Sequence, residues 1–215
     1  FCRSRCGYCD FNTYTASELW GMSTGDYLTA ALREIDLAAR VLGGGTPEVD
    51  TVFVGGGTPT MLPAGDLARL LDAVRERFGL ARDAEITTEA NPETVNPEYL
   101  QRLRENGFTR ISLGMQSAVP HVLEVLERAH TPGRGLDAAR WARQAGFEHI
   151  SLDLIFGTPG ESTADWEKSL EAVATAPVDH VSAYSLIVEQ GTRLAMRVRR
   201  GEVPMPDDDE LAEKY

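Results

Sequence analysis

Cys2, Cys6 and Cys9 are the only cysteines in the 215-residue chain, and they fall in one stretch, Phe1-Cys2-Arg3-Ser4-Arg5-Cys6-Gly7-Tyr8-Cys9-Asp10-Phe11. The C-x3-C-x2-C spacing lets one loop aim three thiolates at a single centre. Gly7 permits tight backbone curvature there, and Phe1, Tyr8 and Phe11 supply an apolar wall. An odd set cannot all pair as disulfides. Structural zinc takes four ligands and no fourth Cys or His lies nearby, whereas a [4Fe-4S] cluster on three thiolates leaves one iron open to a further ligand. Two plainer readings stand beside the cluster: a disulfide with a spare thiol, or zinc completed by a distant histidine such as His130 or His149.

Other residues that could do chemistry recur at the ends of apolar runs. Val54-Gly55-Gly56-Gly57-Thr58-Pro59-Thr60 follows one run, and its glycines let a backbone approach a ligand and expose peptide groups, although a strand-to-helix turn would use some of the same residues. Glu89, in Thr88-Glu89-Ala90-Asn91-Pro92, is a rim carboxylate that solvent alone would satisfy. Asp153 interrupts the apolar run His149–Phe156, where an unpaired charge is costly, so it needs a partner or a ligand. Gln116 lies in Leu113-Gly114-Met115-Gln116-Ser117. Arg128, in Leu126-Glu127-Arg128-Ala129-His130, reads equally as a helix cap or as a pair with Glu124 four residues earlier. His121, His130, His149 and His180 share no spacing and read as structural or surface residues, and Trp20, Trp141 and Trp166 as packing.

The elements that position these residues follow from periodicity. Five β-branched runs, Val49–Val54, Ala84–Thr88, Arg110–Met115, His149–Phe156 and Asp179–Val188, predict strands. Helical spacing joins Leu28, Ala31, Leu32, Ile35, Ala39 and Leu42, then Leu67, Leu70, Leu71, Val74 and Phe78, then Trp166, Leu170 and Val173. Strand starts recur about every 25 to 40 residues, which predicts βαβ units and a parallel sheet. A doubly wound sheet and a barrel both fit, and the polar residues that follow successive strands favour the barrel.

Composition narrows the partners. The formal charge is -12, from 33 acidic against 21 Lys and Arg residues, which argues against non-specific attraction to nucleic acid or an anionic membrane. No apolar run approaches the roughly 20 residues needed to span a bilayer. A cytoplasmic protein is expected. The chain opens without Met inside a motif and is read as a fragment: residues 1–201 as a core domain that begins at the cysteine loop, and 202–215, with Pro204, Pro206 and Asp207–Glu210, as an acidic linker or the start of a further domain.

The cysteine loop, with an aromatic residue before Cys9, resembles the cluster loop of radical S-adenosylmethionine (SAM) proteins. CGYC, GGGTPT, TEANP, SLGMQS, LERAH and DLIFGTPGE resemble, in the same order and at similar spacing, the motifs of the coproporphyrinogen oxidase branch of that superfamily. The resemblance implies a partial (β/α)6 barrel whose first strand is truncated, with a [4Fe-4S] cluster on Cys2, Cys6 and Cys9. It implies that the methionine amino and carboxylate groups of SAM chelate the open iron, and that reduction cleaves the sulfonium to a 5′-deoxyadenosyl radical. Gly56, Gly57 and Thr58 would contact the amino group, Glu89 and Arg128 hold the amino and carboxylate groups, and Gln116 and Asp153 bond the ribose hydroxyls. Tyr8 would bring backbone near the adenine and Ser185 would line its pocket. Glu161 is left outside the site, and no catalytic residue is assigned.

Within that branch, two functions fit. The oxygen-independent coproporphyrinogen III oxidases resembled here carry a further Cys two residues after the third, whereas this chain has Phe11 at that place. Cys6-Gly7-Tyr8-Cys9-Asp10-Phe11-Asn12-Thr13-Tyr14 resembles the heme-chaperone group, which implies heme as cargo, a heme-accepting target protein, an electron donor, and membrane contact only through a target. Oxidative decarboxylation of porphyrinogen propionates is the alternative, so enzymatic activity stays open, as does homodimerisation.

Overall fold

The computed structural model describes residues 1–15, 18, 21–43, 48–129 and 131–215. Trp20 and His130 lie outside the described residues. Five parallel strands form a curled half-barrel in the order β1-β2-β3-β4-β5: β1 (Val49–Val54), β2 (Leu80–Ala90), β3 (Arg110–Gln116), β4 (His149–Phe156) and β5 (His180–Ser185). The helices are α1 (Thr24–Leu42), α2 (Ala64–Phe78), α3 (Pro97–Glu105), α4 (Pro120–Val125), α5 (Arg134–Gln144), α6 (Thr163–Ala174), α7 (Arg193–Arg199) and α8 (Asp208–Lys214).

Register explains where the polar residues go. Glu89 pairs with Ser112, Ser112 with Ser151, and Gly114 with Asp153. Because side chains alternate between faces, one face of the sheet therefore carries Thr87, Glu89, Ser112, Gly114, Ser151, Asp153 and Ser182. The other face carries Ile86, Ala90, Ile111, Leu113, Ile150, Leu152, Leu154 and Phe156. These form one core with Leu67 and Leu71 of α2, Leu100 and Leu103 of α3, Ala138, Ala139 and Ala142 of α5, and Trp166 and Val173 of α6. Apolar residues turn outward to the helices, and polar ones line the concave side.

The strand readings hold, with differences at the ends. β2 begins at Leu80, earlier than its β-branched run, because it enters through an irregularity between the Val49↔Leu80 and Thr51↔Glu85 pairs. β5 stops at Ser185, and the Leu186 N–H still reaches the Phe156 carbonyl at 2.9 Å. α1 starts at a Ser23/Asp26 capping box, yet of its apolar stripe only Leu28 is fully buried, and Leu42 stays exposed.

A second, smaller cluster of Val119, Val122, Leu126, Ile155, Leu186 and Leu194 packs around Tyr8 of the cysteine loop. Residues 202–215 carry α8, which lies against the core. Trp166 Nε1 donates to the Lys214 carbonyl at 3.0 Å, and Lys214 Nζ stands 3.5 Å from the buried Glu161 carboxylate. Glu161 also accepts from the Gly157 N–H at 2.6 Å. Burial raises its pKa, against the pull of that N–H and of Lys214. Its role there is to join the turn after β4 to α8. Among the described residues no helix is long and apolar enough to cross a membrane.

Leu113 is fully buried between β3 and the helix layer. Leu113→Ala is expected to cost about 2–5 kcal/mol of unfolding free energy by urea titration, through lost burial plus the cavity left behind.

Candidate functional site

The site sits where the polar face of the sheet meets the cysteine loop. Cys2, Cys6, Tyr8, Cys9, Gly56, Gly57, Thr58, Glu89, Gln116, Arg128 and Asp153, all singled out in the sequence, line one cavity at the C-terminal ends of β1 to β4. Ser185 stands apart from the thiols. It lines an adjoining cavity at the end of β5, reached through Tyr8, Glu89, Gln116 and Asp153, which border both. The two measure about 190 and 400 Å³, and together they fall within the roughly 300–1,000 Å³ of small-molecule sites.

β3 ends in a bulge that reshapes this rim. The register slips between Gly114 and Gln116, and Gln116 takes a left-handed φ of 70°. A non-glycine residue held there marks local strain, of the kind that gathers at ligand sites. Gly114 makes room for the result, since a Cβ on it would stand 2.8 Å from Arg128 Nη2 and 2.9 Å from Gln116 Nε2.

Arg128 is not paired with Glu124. Its Nη2 donates to the Gly114 carbonyl at 2.9 Å and its Nη1 to Cys6 Sγ at 3.2 Å. Burial works against its charge, but its interactions with the sulfurs of Cys6 and Cys2 and the phenol of Tyr8 outweigh that and raise its pKa. Tyr8 is pushed up mainly by burial, with Arg128 pulling the other way. Across the cavity, Glu89 Oε2 accepts from the Gly56 N–H at 2.9 Å, which ties the glycine loop to the end of β2. Burial raises the Glu89 pKa, the Gly56 N–H opposes it, and the nearby Asp153 charge adds to the rise. Asp153 has the partner its apolar strand demands: Ser112 Oγ donates to its Oδ1 at 2.9 Å. Sequence reading missed Ser112, although it lies on the same face as Glu89 and one strand from Asp153, so the register points to it. Asn91, Asp10 and Phe11 also line the cavity.

The donor chemistry suits an iron–sulfur cluster, and it removes the disulfide and, of the two histidines named for zinc, His149; His130 lies outside the described residues. All three cysteines are free thiols, which removes the disulfide. His149 cannot complete a zinc site, because it opens β4 at the opposite end of the barrel and pairs with Asp179 Oδ2 at 2.6 Å. Thr58 Oγ1 donates to Cys2 Sγ at 3.6 Å, and the Cys9 N–H reaches the Cys6 carbonyl at 3.3 Å. Burial raises the Cys9 pKa, the Phe11 backbone opposes this, and the Cys6 and Cys2 charges raise it further. That is mutual repulsion which a cationic centre shared by all three would reverse. Among the described residues no three His, Cys, Asp or Glu side chains are already gathered at metal-ligating distance.

The sequence model of the Radical SAM superfamily matches residues 1–173. This chain belongs to the radical SAM superfamily. As a radical SAM chain it is 56% identical over 215 residues to "Heme chaperone HemW" of Mycobacterium tuberculosis strain H37Rv, covering 100% of this chain and 55% of that protein. It is 36% identical over 217 residues to "Heme chaperone HemW" of Bacillus subtilis strain 168, covering 100% and 56%. Among solved structures, the radical SAM enzyme coproporphyrinogen III oxidase, HemN, from Escherichia coli superposes with a TM-score of 0.85 at 28% identity, over 99% of this chain and 49% of that one. The chain thus spans about half the length of the curated relatives it matches.

Glu89 bears directly on stability. A carboxyl whose folded pKa is raised favours folding at low pH and loses that contribution as pH rises through the folded value. Glu89→Gln keeps an acceptor for Gly56 and removes the buried charge. The melting temperature of the metal-free variant is expected to exceed the wild type's by a few degrees at pH 8, a gap that closes as the pH falls toward 4.

Proposed function

We propose that this radical SAM chain is the part of a heme chaperone that holds a [4Fe-4S] cluster on Cys2, Cys6 and Cys9 and SAM in the adjoining cavities. One observation carries the cofactor assignment: the Arg128 guanidinium, the Glu89 and Asp153 carboxylates and the Gln116 amide meet three thiols in one cavity. SAM is zwitterionic at its methionine end and bears a diol in its middle, so it asks for a cation, an anion and paired acceptors. Arg128 serves the ligand carboxylate. Glu89, with the peptide groups of Gly56, Gly57 and Thr58, serves the ammonium. Gln116 and Asp153 serve the ribose hydroxyls, with Ser112 keeping Asp153 in place, and the Tyr8 backbone and Ser185 flank the adenine. A reduced cluster supplies, when bound, the electron that breaks the sulfonium bond of SAM. What this chain's own residues do is hold both groups and orient the ligand at the strand-end rim.

Heme as cargo is supported by the HemW relatives and by Phe11. This ring is 60% exposed at the position where a further cysteine distinguishes the oxidase pattern. The partners that follow are a heme-accepting protein, which brings any membrane contact, and an electron donor. The cytoplasm is the compartment proposed, residues 1–201 are the core and 202–215 the segment leading from it, and homodimerisation belongs to the same reading. The likeness to HemN supports a second reading, oxidative decarboxylation of coproporphyrinogen III.

Anaerobic reconstitution is expected to load about four irons and four sulfides per chain, and Cys6→Ser to abolish that loading. Full iron content in the variant would remove the three-thiolate assignment. In a paired assay the full-length protein is expected to bind heme stoichiometrically and to leave coproporphyrinogen III unchanged in the presence of SAM and reductant. Decarboxylated product would reverse the order of the two readings.

A further inference from the structure

We propose that Glu127 is a positioning residue that fixes the Cys6–Cys9 arm of the cluster loop by tying it to α7. The inference rests on the three-thiolate reading above.

Among the described residues, Glu127, with φ of 51°, is the one non-glycine residue besides Gln116 in the left-handed region. An L side chain stays there only when its surroundings over-determine it. Here they do. The Gly7 N–H donates to the Leu126 carbonyl at 2.9 Å, and the Gly7 carbonyl accepts from the Leu194 N–H at 2.8 Å. The corner between Cys6 and Tyr8 is thereby stitched on one side to the end of α4 and on the other to the start of α7. The Glu127 carboxylate lies against that corner so closely that a Cβ on Gly7 would stand 3.1 Å from its Cδ.

From there the carboxylate faces two cations of α7, Arg193 Nη1 at 3.1 Å and Arg197 Nη1 at 4.0 Å. Arg193 donates in turn to the Arg5 carbonyl, inside the cysteine loop, and Arg197 donates to the Val125 carbonyl at 3.1 Å. Three segments far apart in sequence, 5–8, 125–128 and 193–197, meet around one carboxylate. The left-handed turn also separates neighbouring side chains: Glu127 reaches α7 while Arg128 reaches Cys6 Sγ. These ion pairs are partly exposed, with side-chain accessibilities of 28% for Glu127 and 51% for Arg193. Their share of global stability is correspondingly small. Their effect is local, on how firmly the Cys6–Cys9 arm keeps its place.

The test uses the full-length, anaerobically reconstituted protein and the variant Glu127→Gly, because glycine adopts a positive φ without strain while the carboxylate is lost. Three results are expected. Iron passes to a chelator roughly threefold to fivefold faster than from wild type, the fold-change of one partly exposed ion pair. The electron paramagnetic resonance lines of the reduced cluster shift or broaden. The melting temperature of the metal-free chain stays within a few degrees of wild type. Arg193→Ala should reproduce the faster loss, and the double variant should add little to either single change, as expected when two residues act through one contact. Wild-type chelation rate and spectrum in Glu127→Gly, fully additive effects with Arg193→Ala, or a collapse of the melting temperature would each overturn the positioning role. Failure of the wild-type protein itself to take up iron would instead remove the cluster reading on which the inference rests.

Discussion

The guanidinium of Arg128 has to be satisfied where it sits, between a strand carbonyl and a cysteine sulfur, and the rest of the rim is arranged around that requirement. A partly buried cation without partners would cost more than the packing around it returns. Its Nη1 and Nη2 donate to Cys6 Sγ and the Gly114 carbonyl, which brings the end of β3, the turn after α4 and the cysteine loop to one point. Gly114 leaves that group its room, since a side chain there would meet both Arg128 and Gln116, and the bulge at Gln116 and the left-handed turn at Glu127 flank it in the chain.

A second constraint lies underneath. A parallel sheet covered by helices on one side alone has to put its apolar residues on that side, and the alternation of side chains then sends the intervening residues to the other. Glu89, Ser112, Gly114 and Asp153 share the concave face because Ile111, Leu113, Leu152 and Leu154 share the convex one. The strand ends are where that polar face meets the loops, so cofactor chemistry and strand register are two readings of one pattern. The small core under Tyr8 completes the arrangement by giving the cysteine loop an apolar floor.

Much of this was legible in the chain itself, and the exceptions are instructive. The strand runs, the outward stripes of α2 and α6 and the spacing of the cysteines each report a local period or a local bond, and those survive into the structure. Arg128 was ambiguous because a helix-end arginine has near neighbours in sequence that would satisfy it, and only the fold offers a thiol from the far end of the chain. Ser112 and Glu127 escaped notice for a related reason: serine in a strand and glutamate beside arginine are ordinary until their partners, Asp153 and α7, are placed. α1 carried a helical stripe of which only Leu28 became fully buried, since periodicity shows that a face exists but not that anything covers it.

The sequence by itself determined the donor types, their order, and the alternation of elements that would carry them. Three thiols within one loop, a glycine loop after the first strand and a carboxylate inside an apolar strand are facts of covalent spacing and of burial cost. The tertiary structure alone decided which of these groups share a cavity, that Ser185 opens onto a neighbouring one, and that Glu127 and Arg128 part to opposite sides of the loop. Those outcomes depend on strand register, on the bulge at Gln116 and on contacts between residues more than a hundred positions apart, and no local pattern encodes a distance of that kind.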